Sequence, residues 1–561
     1  MRRVLRGSAN RLWNLSLQRE ANAYWKSLEN MEATQEKLLL EMLRRNRDTE
    51  FGRRHGFAGI KSAREYQEAV PQAEYRDFEP YIERICAGEQ NLLTAEPVLL
   101  LEPTGGSGGG SKLIPCTSEL KRQFQRGIAP WISALYRSYP ELLNGQSYWS
   151  VSPVTRWQTT AGGIPVGFDD DSDYVGGFGR LLVRSLQAVP DQVKHIGQME
   201  NFWYVTLLFL LRSRALALVS VWNPSFLAIL CRRLEDCWPQ LAEDIDRGSL
   251  SPPEPLDPEL AAQLGRQLRP DHVRAEEIRS VFMREKSPAD RHLALWPRLR
   301  LVSCWSDGAA VELAEGIRQF FPRSVIQGKG LLATEGFFTL PVAGLDGCLP
   351  ALRSHFLEFM PQQGGKALLL HQLETGGTYS LVVTTGGGLY RYRLHDLVLV
   401  SGFHHNVPLL RFVGKADHVA DHFGEKLDEF HVAEVLRRAA VRHGLVPDFA
   451  MLACEKLPEP GYVYFVESVN GGDSQLLRIA AEIDLQLKGN FQYGYCRELG
   501  QLAPVRVFRV ERNGRESYLQ GCCSRGQRLG DVKPVALHHG CGWAEAFRGR
   551  MLTPACRQPL C

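Results

Sequence analysis

The sequence has little that would support redox, metal-centred or nucleophile-based chemistry. Its thirteen cysteines, an odd number, include no CxxC pair and no other metal-ligand spacing, and the vicinal Cys522–Cys523 pair reads as incidental. Reduced thiols in a cytosol are the simplest interpretation, so a cytoplasmic protein is expected. No G-x-S-x-G stands where a nucleophile elbow would need it, and no Ser-His-Asp or Cys-His arrangement can be argued. His404 and His405, and His538 and His539, occur in pairs, but sequence neighbours rarely share one metal on regular structure. Charge of one sign is lacking as well. A net charge of +3 over 561 residues gives no electrostatic reason to expect a nucleic-acid partner. The longest apolar run, from Phe202 to Leu211, is too short to span a bilayer and reads as a core helix, so no integral membrane segment is expected. The basic start, Met1-Arg-Arg-Val-Leu-Arg, has no acid before Glu20 and no apolar signal core after it, and reads as an amphipathic first helix.

What the chain does have begins with its length. At 561 residues, 44% of them hydrophobic, it exceeds one ordinary core and implies two or more domains. Its most informative stretch is Thr104-Gly-Gly-Ser-Gly-Gly-Gly-Ser-Lys112. The apolar run Pro97-Val-Leu-Leu-Leu-Glu102 precedes it as a buried strand, and Leu113-Ile114-Pro115 follows. Five glycines allow the backbone to approach an anion and turn its N–H groups inward. Thr104, Ser107 and Ser111 add hydroxyl donors and Lys112 adds a positive charge, a combination suited to a polyphosphate. The plain alternative is a flexible Gly/Ser linker. A Walker A loop is excluded, because Ser111 separates Gly110 from Lys112 and Pro115 keeps the exit extended. A dinucleotide fingerprint fails too, since no helix starts on the glycines.

In chain order, residues to about 45 read as helical, with Leu38, Leu39, Met42 and Leu43 as an apolar stripe. Thr117 and Ser118 offer caps to a helix from Glu119 to about Tyr136. Strand-like runs at 146–153, 215–222 and 299–305 alternate with helices near 226–234 and 309–320. That alternation predicts α/β architecture with a largely parallel sheet. A strand from Ser324 leads into a turn presenting Thr334 and Glu335. Residues 367–383, with turns at 374–377, suggest a hairpin, and 388–400 form an alternating strand carrying Arg391, Arg393 and Asp396. The texture changes near Gly414. Beyond it, a helix with Val432, Val435, Leu436 and Ala439 inward, short strands and two further helices form a compact α+β unit.

Taken singly, Glu335 and Asp396 are ordinary strand-end acids that could simply meet water. Functionally, Glu335 could hold Mg²⁺ against a phosphate, and Asp396 could accept from two vicinal ribose hydroxyls. Three stations at strand ends strengthen that reading, because ligands bind at strand ends in such sheets. Lys533, held extended by Pro534, could project from a loop as a point charge; by default it is a surface lysine.

The order of Leu101-Glu-Pro-Thr-Gly-Gly-Ser-Gly-Gly-Gly-Ser-Lys-Leu-Ile-Pro115, Leu332-Ala-Thr-Glu-Gly336 and Tyr390-Arg-Tyr-Arg-Leu-His-Asp396 resembles the auxin-responsive family of acyl-acid amido synthetases. The resemblance runs nearly end to end, through Asn46–Gly52, Ser220–Phe226, Arg497–Leu502 and Gly530–Pro534. It implies membership of the adenylate-forming superfamily of acyl-CoA ligases, luciferases and peptide-synthetase adenylation domains. The implied architecture is a large N-terminal domain, residues 1–414, with mostly parallel sheets and a β-barrel-like part. A small mobile α+β domain, 415–561, completes it. The implied chemistry has two halves. A carboxylic acid attacks the α-phosphorus of ATP to give acyl-adenylate and pyrophosphate, and an amine, usually of an amino acid, then displaces AMP. Carried over by position, Thr104, Gly105, Gly106, Ser107, Gly108, Ser111 and Lys112 would hold the triphosphate. Thr334 and Glu335 would meet the α-phosphate and Mg²⁺, and Asp396 would bind ribose. Lys533 would bridge the attacking carboxylate and the α-phosphate.

Two departures from the family pattern stand out. His395 occupies a place where glycine often precedes the aspartate. The phosphate loop is a residue shorter, with Gly108 and Gly109 where plant members carry hydroxyl or larger residues. Trp149, Trp203, Tyr204 and Trp222 are candidates to line an apolar acyl pocket, although aromatics at such spacing are more often core. The alternatives to an amide-forming ligase are a thioester-forming acyl-CoA-type ligase and a nucleotide-binding protein without turnover.

Overall fold

The computed structural model describes residues 2–105, 111–150, 158–167, 182, 186–415, 419–420, 422, 425, 427–456, 459–498, 501–527 and 532–552. They divide into two compact units, the first running through Phe412 and the second starting at Val413. The protein is a mixed α/β molecule with several sheets and a larger N-terminal part.

The first unit opens with helices Arg2–Ser27 and Met31–Asn46. Asn30 caps the second by accepting from the Ala33 N–H at 3.2 Å, and the expected stripe of Leu38, Leu39, Met42 and Leu43 is buried. One of its sheets is wholly parallel. Strands Gln146–Trp149, Leu216–Ser220, Leu301–Ser303 and Val325–Gln327 lie side by side in that order. Their register places Trp149, Ser220, Ser303 and Gln327 in one row at the C-terminal edge. The apolar run 202–211 is a core helix, Met199–Arg212, buried from Asn201 to Leu211.

The largest sheet corrects the expectation of mostly parallel strands. Its seven strands run in the order Thr339–Pro341, Cys348–Pro350, Val407–Lys415, Tyr392–His404, Thr378–Thr384, Phe356–Pro361, Leu368–Leu369. Every pairing whose register is described is antiparallel. The reason is connection length. Successive strands here are joined by eight residues or fewer, whereas a parallel crossover needs a dozen or more. The sheet is open: among the described residues its edge strands do not pair with each other, so the barrel-like part is not a closed barrel. The hairpin expected within 367–383 is also corrected. Leu368–Leu369 and Thr378–Thr384 do not pair with each other but flank Phe356–Pro361 on either side.

A third sheet carries the hairpin Leu100–Gly105/Ser111–Cys116, beside Pro165–Val166 and Gln158–Thr159. From the hairpin the chain enters helix Ser118–Ser138, capped by Thr117, which accepts from the Leu120 N–H at 3.1 Å.

The second unit has a five-stranded mixed sheet, in the order Leu537–His538, Phe449–Glu455, Gly461–Glu467, Ala503–Val510, Gly549–Leu552. Helices Glu429–Arg442, Asp473–Leu487, Phe491–Glu498 and Gly514–Ser524 accompany it, one more than the pattern suggested. Val432, Val435, Leu436 and Ala439 face the core of this unit, as their spacing required.

Candidate active site

The glycine-rich stretch is the tip of an antiparallel hairpin. Its two arms pair without interruption up to Thr104 opposite Lys112 and Gly105 opposite Ser111. Gly106, Ser107 and Gly108 lie outside the described residues, as do the side chains of Thr104 and Ser111. Lys112 is placed. Its ammonium donates to the Tyr392 hydroxyl at 3.4 Å and lies 5.7 Å from the Tyr75 ring centroid. The Tyr75 hydroxyl in turn accepts from the Leu113 N–H at 2.8 Å. The foot of the loop is thereby tied to the strand that carries Asp396.

That strand, Tyr392–His404, is distorted where it matters. Ser380 pairs with Leu397 and Val382 with Arg393, so Leu381 alone faces Leu394, His395 and Asp396. The resulting bulge re-aims Asp396 and corrects its assignment to a strand end. Asp396 is buried, 2% exposed. His395 has a φ of +64°, the left-handed region that favours glycine. Its Nε2 lies 2.7 Å from Glu74 Oε2, and Arg393 pairs with Glu74 Oε1 at 3.1 Å. The histidine side chain is therefore engaged with Glu74. Four residues earlier, Arg391, also at positive φ, donates to the buried Glu358 carboxylate at 2.9 to 3.1 Å and to the Gln67 and Val70 carbonyls at 2.8 and 2.7 Å.

Thr334 and Glu335 form the two-residue turn between strands Leu332–Ala333 and Gly336–Phe337. Glu335 is buried. The turn is held from behind by His355, whose Nε2 accepts from the Phe337 N–H at 3.0 Å. That bond places the ring proton on Nδ1. Burial pushes the His355 imidazole down to about 3, with Arg126 adding to the effect. Close packing fixes the turn further: a Cβ on Gly127 of helix Ser118–Ser138 would lie 2.3 Å from the Phe337 ring. One helix thus starts beside the glycine hairpin and packs against the Thr334–Glu335 hairpin.

Among the described residues no group of three or more His, Cys, Asp or Glu could hold a metal by itself. Mg²⁺ needs no such group, since it takes one or two protein carboxylates and completes its shell with phosphates and water, and Glu335 is the carboxylate at this turn that could serve.

Lys533 belongs to the second unit, with its side chain exposed. Its carbonyl accepts from the Tyr518 hydroxyl at 3.0 Å, and Tyr518 stacks on Trp543 with centroids 5.1 Å apart. The four aromatic candidates separate. Trp149 and Trp222 lie at the C-terminal edge of the parallel sheet. Trp203 packs on Phe226 at 4.7 Å, and Tyr204 donates to the buried Asp244 at 2.8 Å, which makes both core residues. Sequence reasoning missed Glu74, Glu358, His355 and Tyr518, none of which sits in a motif. It also missed Asp307, just beyond strand Leu301–Ser303, where burial pushes the carboxyl up to about 6 against the pull of Arg411.

Comparison with known proteins agrees with this architecture. Residues 22–326 match the GH3 family N-terminal domain, 348–415 the GH3 family central domain and 430–538 the GH3 family C-terminal domain. The GH3.15 acyl acid amido synthetase structure superposes with a TM-score of 0.79 at 23% identity, over 92% of this chain and 93% of that one. The fold is thus that of an acyl acid amido synthetase. Indole-3-acetic acid-amido synthetase GH3.3 of Arabidopsis thaliana is 24% identical over 537 residues, covering 90% of this chain and 89% of its own. Indole-3-acetic acid-amido synthetase GH3.8 of Oryza sativa subsp. indica is 27% identical over 561 residues, covering 90% and 88%. The chain belongs to the GH3 family of ATP-dependent acyl-acid amido synthetases, ligases that join a carboxylic acid to an amino acid.

Proposed function

We propose that the chain works in two half-reactions, on residues that act by position and charge. In the first, a carboxylate oxygen of the acid attacks the α-phosphorus of ATP and pyrophosphate leaves. In the second, an amino-acid nitrogen attacks the acyl carbon, AMP leaves, and the nitrogen gives up its proton. The observation that best supports this is the tie between the glycine hairpin and the Asp396 strand through Lys112 and Tyr392, which suits one nucleotide gripped at triphosphate and ribose.

In this reading the backbone N–H groups from Thr104 to Ser111, with Lys112, cradle the phosphates. Glu335 holds Mg²⁺, and Thr334 donates to the α-phosphate. The buried Asp396 accepts from the ribose hydroxyls. Lys533 brings its charge to the carboxylate and α-phosphate during adenylation and withdraws for aminolysis, which makes the second unit the mobile one. No protein nucleophile is needed, because nucleotidyl transfer depends on positioning and charge stabilisation. The cytoplasm, where the cysteines stay reduced, is the compartment this reading favours.

The test is acid-dependent exchange of pyrophosphate into ATP over aromatic, aliphatic and fatty acids, followed by AMP release with an amino-acid panel. Exchange with at least one acid, and AMP release that tracks an amino acid, are expected. No exchange with any acid would leave a nucleotide-binding protein without turnover. AMP release that follows CoA would make it a thioester ligase.

A further inference from the structure

The C-terminal edge of the parallel sheet carries a set of hydrogen-bond donors that the nucleotide site does not use. Two residues beyond strand Val325–Gln327, Lys329 is buried, 5% exposed. Its ammonium donates to the Ser220 hydroxyl at 2.6 Å. The ring centroids of Trp222, Trp131 and Trp149 lie 5.0, 5.6 and 5.8 Å from it. Three indoles at that range hold a cation in place by their ring faces. Beside it stand two further donors. Ser303, paired in register with Ser220, has a fully buried hydroxyl, and Trp149, also paired with Ser220, has a buried indole N–H. Neither has a hydrogen-bond partner among the described residues. An indole N–H can only donate and a hydroxyl can donate as well, so an acceptor would satisfy both.

We propose that this cluster is a recognition site for the acyl substrate, and that it selects acids bearing, on a flat apolar body, a second anionic group in addition to the reacting carboxylate. That group, a carboxylate or a phenolate, accepts from Lys329, Ser303 and the Trp149 N–H, while the indoles cover the body of the acid. The inference deepens the adenylating reading given above and rests on it. The cluster suits a group that is recognised better than one that reacts. A carboxylate whose lone pairs are engaged by an ammonium, a hydroxyl and an indole N–H is a poor nucleophile toward phosphorus. An acid with nothing to offer at that end would leave the Ser303 hydroxyl and the Trp149 N–H unpaired, which a polar pocket penalises strongly.

The experiment compares matched acids in the pyrophosphate exchange assay: isophthalate and terephthalate against benzoate, and 4-carboxycinnamate against cinnamate. The member with the second group is expected to have a kcat/KM at least about 10-fold higher. Lys329→Met is expected to cut that ratio by about 10- to 100-fold, and Ser303→Ala, which removes a donor and almost no bulk, by about 3- to 10-fold. Melting curves identify a variant that has lost its fold; Ser303→Ala carries the test if Lys329→Met is one. A ratio near one in the wild type, or a ratio unchanged in a folded variant, overturns this inference alone. Absence of exchange with every acid overturns the adenylating reading, and this one with it.

Discussion

His395 and Glu74 meet at 2.7 Å, and the contact explains how a histidine occupies a backbone position that favours glycine. With φ at +64°, an L-residue at 395 costs about 1 kcal/mol relative to the right-handed region. The hydrogen bond to Glu74, which also holds Arg393, offsets that cost. His395→Ala keeps the strained φ and loses the bond, whereas His395→Gly loses the bond and sheds the strain. The glycine variant is therefore expected to be more stable than the alanine variant by about 1 kcal/mol in denaturant unfolding. An alanine variant as stable as the glycine variant would show that backbone strain at 395 is not what the Glu74 contact compensates.

Arg391 and Glu358 form a buried ion pair in which the guanidinium also satisfies two backbone carbonyls. Removing one partner strands the other charge away from water, so Glu358→Ala is expected to cost about 3–5 kcal/mol. Replacing both residues together by apolar ones of similar size is expected to recover much of that loss. A double-mutant cycle in denaturant measures it, and equal losses in the single and double variants would contradict the account.

The motifs were legible because their chemistry is local. A glycine run between apolar strands, a Thr-Glu turn and an alternating strand carrying an acid each read from a few neighbouring residues. Pairing was not. Thr378–Thr384 lies against Phe356–Pro361 and not beside Leu368–Leu369, a choice made by tertiary packing between segments of similar composition. The bulge at His395 is equally invisible, since two extra residues on one strand only show against the partner. The cage around Lys329 draws Trp131 from a helix and Trp149 and Trp222 from the ends of two strands. Nothing in the sequence near Lys329 announces them. His355 holds the catalytic-turn candidate through a backbone N–H, and backbone partners leave no sequence pattern.

Two buried histidines set an acid limit on stability. Burial pushes His292 down to about 4 and His355 down to about 3, both below the unfolded value of about 6.5. Each stays neutral in the native state while the unfolded chain takes up a proton, so their contribution is full above about pH 6.5 and is lost as pH falls toward the folded values. Between pH 7 and pH 5 each is expected to cost about 2 kcal/mol. His292, packed against Phe321 with ring centroids 5.1 Å apart, accepts the cleaner replacement. His292→Phe is expected to flatten the pH dependence of the melting temperature over that range, and an unchanged slope would remove His292 from the account.

Tyr518 offers a way to test Lys533 without deleting it. The tyrosine hydroxyl donates to the Lys533 carbonyl at 3.0 Å and its ring is clamped by Trp543, so Tyr518 sets the course of the backbone that carries the lysine. If Lys533 stabilises charge during adenylation, Lys533→Ala should slow acid-dependent exchange by about 100- to 1000-fold. Tyr518→Phe leaves the lysine present but its loop less defined, and a loss of about 3- to 10-fold is expected through kcat with little change in the KM for ATP. Both variants should still turn over when supplied with preformed acyl-adenylate and an amino acid, because aminolysis does not call on that charge. A Tyr518→Phe enzyme with wild-type exchange would make the hydrogen bond merely structural. A Lys533→Ala enzyme with wild-type exchange would remove the lysine from the adenylation step.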